Sequence, residues 1–175
     1  ADVETEAVWE KSFAEVELTD EWAVDVLAIA ETQLGYTESL KNYVVSEDGE
    51  TIKGYTRYGQ WYGSAYDKWD AMFVSFCLHY AEVEGFPLAA DAGGWIKALS
   101  GEEYDCYYPA KDYIPQAGDL IFFDKDGDTA ADSVGLVAES IVGAEDTTAQ
   151  VRVIEGDSDD AVEANVYELS DAAII

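Results

Sequence analysis

Histidine is almost absent from this chain: His79 is the only one in 175 residues. Catalysis by a cysteine–histidine or serine–histidine pair needs an imidazole beside the nucleophile. Any such chemistry therefore rests on His79 alone. Basic residues are also scarce, with nine Lys and Arg against 38 Asp and Glu, a net charge of −29 and a pI near 4.1. A surface of that sign repels phosphate backbones, which argues against direct nucleic-acid binding. It also disfavours docking on anionic membranes. Two cysteines, Cys77 and Cys106, do not make a disulfide scaffold. With one histidine and no C-x-x-C they do not make a zinc site. No run is long and apolar enough to span a bilayer, so membrane insertion is not expected. No signal peptide is visible, which fits a chain from which one was removed. The final residues, AAII, are apolar, and they read as a domain cut from a longer protein.

What is present is enough for a core. Apolar residues make up 49% of the chain, and the length suits one ordinary domain. The acidic excess reads as the solubilising surface of a secreted protein, or as adaptation to a salty host. Residues 1–18 look like a linker or short helical arm, and residues 19–175 like one domain. Thr19 and Asp20 form a cap signal before a helix in which Trp22, Val26, Ile29, Ala30 and Gln33 recur at helical spacing, ended by Gly35. The stretch 54–69 is rich in glycine and aromatics, has no helical period, and predicts an ordered loop. A second helix is expected from Trp69 to Val83, with Asp70 at its start and Gly85 and Pro87 closing it. Ala89 to Leu99 predicts a short helix with Trp95 buried. After Pro115 the pattern turns to strands: GDLIFF, SVGLVAES, AQVRVIEG and NVYEL. Helices first and strands later predict an α+β fold with an antiparallel sheet.

Three blocks, GYTRYGQWYG…YDKWDAMFVSFCLHYA, PQAGDLIFFDKDGDTAADSVGLV and VIEGDSDDAV, stand in order over roughly residues 20–175. Together they resemble the CHAP family of cysteine, histidine-dependent amidohydrolases and peptidases, which are mostly bacterial cell-wall hydrolases. The resemblance implies a papain-like fold, with N-terminal helices packed on an antiparallel sheet. It also implies a cysteine at a helix start, where amide dipoles favour the thiolate. A histidine on a facing strand would take its proton, and polar residues on the next strand would orient that histidine. By the family pattern the cysteine belongs at Asp70 and the histidine at Ser133, while the orienting residues fall on Glu155 and Asp157. Nucleophile and base are both replaced.

Other residues do not rescue the mechanism. Cys77 lies seven positions after Asp70, on the same helix face two turns on, and should point into the core. His79 is nine positions after Asp70, half a turn off that face. Ser133 has no base nearby and reads as a strand serine satisfied by backbone. Asp70 suits a helix start, where a carboxylate contributes about 0.5–2 kcal/mol. A sharper alternative pairs Asp70 with Glu155 across the old cleft, since paired carboxylates can cleave glycosides or hold a metal.

Two further constellations stand out. Asp124, Asp126, Asp128 and Asp132 alternate in a strand-to-strand loop and can place several oxygens around one Ca²⁺; the rival reading is a solvated acidic turn bent at Gly127. Aromatic residues crowd positions 55–69, and Tyr58, Trp61, Tyr62 and Trp69 are the candidates to line a cleft, against a purely packing role. These readings lead to an expectation. The chain is a catalytically inactive CHAP-like module of a secreted or cell-surface bacterial protein. It binds or scaffolds at the cell wall, with muropeptide, cell-wall glycan or another protein as partner, and it requires no cofactor. The alternatives are an active peptidoglycan amidase or endopeptidase carrying inactivating substitutions, and a carboxylate-based hydrolase.

Overall fold

A computed structural model describes residues 3–141, 143 and 149–175. The first two residues of the expected arm, and residues 142 and 144–148 of the expected domain, lie outside the described residues. The arm is a short helix, α1 (Glu6–Trp9), continued by a 3₁₀ turn over Glu10–Phe13. It is docked on the domain. Trp9 is buried and its indole N–H donates to the Tyr80 hydroxyl at 2.8 Å. Glu4 takes a bidentate pair of bonds from Arg57, at 2.7 and 2.9 Å.

Helix α2 (Trp22–Thr32) follows, and its cap differs from the expected one. Asp20 has φ of 66° and caps nothing. Instead the buried Asp25 reaches back to accept the Thr19 N–H and hydroxyl, each at 2.8 Å. Two short exposed strands, β1 (Tyr43–Val45) and β2 (Ile52–Gly54), form a hairpin that the sequence reading did not assign. The stretch 54–69, expected as loop, contains a six-residue helix, α3 (Arg57–Tyr62). Thr56 caps it by accepting the Gly59 N–H, and Gly63 ends it at φ 108°. Gly59 is required for space, because a Cβ there would lie 2.5 Å from the Ser64 carbonyl oxygen.

Helix α4 (Asp70–Tyr80) is buried along Asp70–Leu78, as an apolar-all-round helix should be. Helix α5 (Ala92–Leu99) is capped by the Asp91 carboxylate, which accepts the Gly94 N–H at 2.6 Å, and Trp95 is buried as expected. Four antiparallel strands complete the chain in sequence order: β3 (Leu120–Phe123), β4 (Ser133–Ile141), β5 (Gln150–Ser158) and β6 (Ala161–Glu168). The molecule is thus α+β with antiparallel sheets, as the order of elements predicted.

Strand alternation divides the core. Phe122, Val134, Leu136 and Ile154 join the main cluster with α2, α4 and α5. Ile121, Phe123, Val137, Val151 and Val153 form a second cluster, closed by Ile174. β5 approaches α4 so closely that a Cβ on Gly156 would lie 2.6 Å from the Phe73 Cβ. Among the described residues, no helix is long and apolar enough to cross a membrane.

Candidate functional site

Asp70 stands in the first turn of α4 and is only 3% exposed. Its Oδ2 accepts the backbone N–H of Val134 on β4 at 3.0 Å. The β4–β5 pairing starts at Leu136 and Ile154, so Val134 lies beyond the paired region. The carboxylate thus supplies an acceptor that a neighbouring strand would otherwise provide. Burial raises the Asp70 pKa, opposed by the Lys68 charge and the Val134 N–H.

Asp157 meets the same helix start. Its Oδ2 accepts the Trp69 N–H at 3.1 Å. Burial, with the charges of Asp70, Glu38 and Asp160, pushes its pKa up to about 6 against the Trp69 N–H. The carboxylate oxygens of Glu38, Asp157 and Asp160 lie within 4.8 Å of one another. Glu38 also holds the Trp69 indole N–H at 3.1 Å and the Gly54 N–H at 2.9 Å.

The pairing imagined from sequence was Asp70 with Glu155. The structure does not join them. Glu155 is buried on the side of the second core cluster and accepts from Tyr167 at 2.6 Å, Asn165 at 2.8 Å and Lys125 at 3.2 Å. The carboxylate that joins Asp70 at the start of α4 is Asp157, through the Trp69 N–H. Strict alternation would point residues 155 and 157 to one side, but the register shifts between Glu155 and Ser158, and Asp157 adopts φ 57°. Ser133 pairs with Phe123 at the start of β4. Its buried Oγ has no hydrogen-bond partner among the described residues, whereas a backbone-satisfied serine was expected. Lys68 donates through Nζ to the carbonyl of the neighbouring Asp132.

Cys77 and His79, the other candidates for a catalytic pair, lie elsewhere. Cys77 is fully buried, and burial pushes its thiol well up, so it is an inert core residue. His79 is exposed and packs on Trp61 and Tyr80, with the ring centroids of His79 and Trp61 5.2 Å apart. That contact lies nine residues along α4 from Asp70, about 13 Å at the helical rise.

The aromatic residues expected to line a cleft divide in the same way. Tyr58 and Trp69 are fully buried and stacked, with centroids 5.2 Å apart and planes at 16°. They are core, not cleft. Their role is to seat α3 on the start of α4, and the Tyr58 hydroxyl donates to Gln33 at 3.0 Å. Trp61 and Tyr62 are half-buried, with Trp61 against Phe76 and Tyr80 at the far end of α4.

In the aspartate loop, carboxylate oxygens of Asp124, Asp126 and Asp128 approach one another within 4.8 Å. Asp132 stands apart from that set. Its Oδ2 accepts the N–H groups of Lys125 at 2.5 Å and Asp126 at 3.1 Å, which folds the loop. Asp124 accepts from Gly127, Asp128 and Thr129 at 2.7 to 3.2 Å. The loop is therefore organised by its own amides, and three carboxylates remain close enough together to share a cation. Calcium takes six to eight oxygens, so water would supply about half of them. Comparison with family models, curated proteins and solved structures finds no match to this chain.

Proposed function

We propose that this chain is a catalytically inactive, CHAP-like module with a papain-like arrangement, belonging to a secreted bacterial protein and serving as a scaffold or binding part at the cell wall. The observation that carries this reading is the state of Asp70. At the position where the resemblance puts a nucleophilic thiol stands a buried carboxylate already bonded to the Val134 N–H. A carboxylate so engaged is a poor nucleophile toward an amide. The position for the base, Ser133, carries no titratable group, and the one histidine packs on Trp61. Burial of Asp70, Ser133 and Glu155 favours scaffolding over recognition in the old cleft.

The reading is tested with purified peptidoglycan. The protein is expected to release neither soluble muropeptides nor new amino groups, while sedimenting with the insoluble wall material. Robust cleavage that disappears in Asp70→Ala overturns the proposal and installs a carboxylate mechanism, with Asp157 as the partner group.

A further inference from the structure

A cavity of about 360 Å³ opens along the outer side of β3, and Asp70 is not among its lining residues. Its walls include Trp22, Phe86, Tyr107, Tyr108, Ile114 and Leu120. Several of these are unusually exposed for their size: Trp22 is 42% exposed, Tyr108 54% and Ile114 62%. Contiguous apolar surface of this kind, gathered into a concavity of drug-like volume, is how small-molecule sites are built. The rings are already organised. Trp22 rests on Phe86 with centroids 5.6 Å apart, and Tyr108 stacks on Tyr113 at 5.1 Å.

One charged side chain enters this wall. Asp119 is the only carboxylate side chain among the described lining residues, and none of them is Lys, Arg or His. Its two oxygens are used unequally. Oδ2 accepts both the Tyr113 hydroxyl at 2.9 Å and the Gln116 N–H at 2.8 Å. Oδ1 makes no hydrogen bond among the described residues. The carboxylate is thus held in place through one oxygen and presents the other. The whole chain carries −29, so an anionic ligand approaches against the field and finds no partner. A cation is drawn in, meets Asp119, and gains from the faces of the surrounding Tyr and Trp rings.

We infer that this cavity binds a compact amphiphile: an apolar or aromatic body bearing a single cationic amine. The apolar body lies between Trp22, Phe86 and the tyrosines, and the amine pairs with Asp119. Cys106 forms part of the wall and is exposed, whereas Cys77 is fully buried, so the site carries its own chemical reporter.

The test uses the uncharged dye Nile red as reporter at neutral pH and low salt. Octylammonium, octanol and octanoate share one chain length and differ in charge, and they serve as competitors. Saturable one-site dye binding is expected, with octylammonium displacing the dye at a concentration roughly tenfold below that needed for octanoate, and octanol between them. High salt should narrow that gap. Asp119→Asn should close it while the dye still binds, and Ile114→Trp, which fills the cavity, should abolish dye binding. Octylammonium should also slow alkylation of Cys106 by N-ethylmaleimide. Absence of saturable dye binding overturns the inference, and so does equal displacement by the ammonium and the carboxylate. A gap untouched by both salt and Asp119→Asn overturns it too. The salt arm needs only the parent protein, so the inference stays testable if a variant does not fold.

Discussion

The Asp70 carboxylate and the Val134 N–H are joined at 3.0 Å, where β4 runs past the end of its pairing with β5. With the Trp69 N–H bonded to Asp157, this bond ties the start of α4 to the sheet. Asp70→Ala leaves a buried N–H without a partner and is expected to cost about 1–3 kcal/mol in urea unfolding. Asp70→Asn keeps an acceptor and removes a charge that burial disfavours, so it should match or exceed the parent. Equal stability of the alanine variant and the parent would contradict the structural role.

Asp157 predicts a pH dependence with a definite sign. Its pKa rises from 3.8 to about 6 on folding. The folded state holds that proton more tightly, so the contribution to stability is fully present below 3.8 and lost as pH rises through about 6. Asp157→Asn is neutral throughout and still accepts from Trp69. Relative to the parent it should gain about 1–2 kcal/mol between acid and neutral pH. Chemical denaturation at both ends of that range measures it, and a difference independent of pH rejects the raised Asp157 pKa, which burial causes first and the charges of Asp70 and Glu38 add to.

How far the sequence could be read follows from what each signal depends on. Strands β3 to β6 and helix α4 were legible because alternation and an unbroken apolar run report burial directly. Helix α3 was missed although Thr56 and Gly63 flank it in cap positions. Six residues are too few to show a period, and its stability comes from Tyr58 packing on Trp69. The hairpin β1–β2 is exposed over most of its residues, so it offers no buried face to read. In the candidate site, the resemblance singled out Asp70 and Ser133, but the sequence did not show their partners. Alternation assigns Glu155 and Asp157 to one side, and only the register shift between Glu155 and Ser158 turns Asp157 to the helix start.

The docked arm makes a third expectation. Arg57 bonds Glu4 through two nitrogens, bonds Gln33 at 3.1 Å, and lies 4.4 Å from the Tyr36 ring centroid. Glu4 and Arg57 side chains are 7% and 13% exposed. Glu4→Ala leaves a guanidinium in that low-dielectric setting without its counter-charge and should cost about 3 kcal/mol. Thermal unfolding reads this directly. A neutral effect means the arm contributes nothing to the fold.

The aspartate loop is tested with calcium. Asp124, Asp126 and Asp128 repel one another across less than 4.8 Å, and a bound divalent ion relieves that repulsion. Millimolar calcium is expected to raise the parent's Tm by a few degrees, on the order of 1 kcal/mol. The double variant Asp126→Ala, Asp128→Ala should show no such rise. An unchanged parent ends the calcium reading and leaves a solvated acidic turn.

The central proposal is that the chain carries no hydrolase chemistry at Asp70 and Ser133. The most direct measurement is release of soluble muropeptides from purified peptidoglycan by the parent protein and by Asp70→Ala, side by side. The account predicts no release above the buffer control from either protein. Release by the parent that Asp70→Ala abolishes contradicts it.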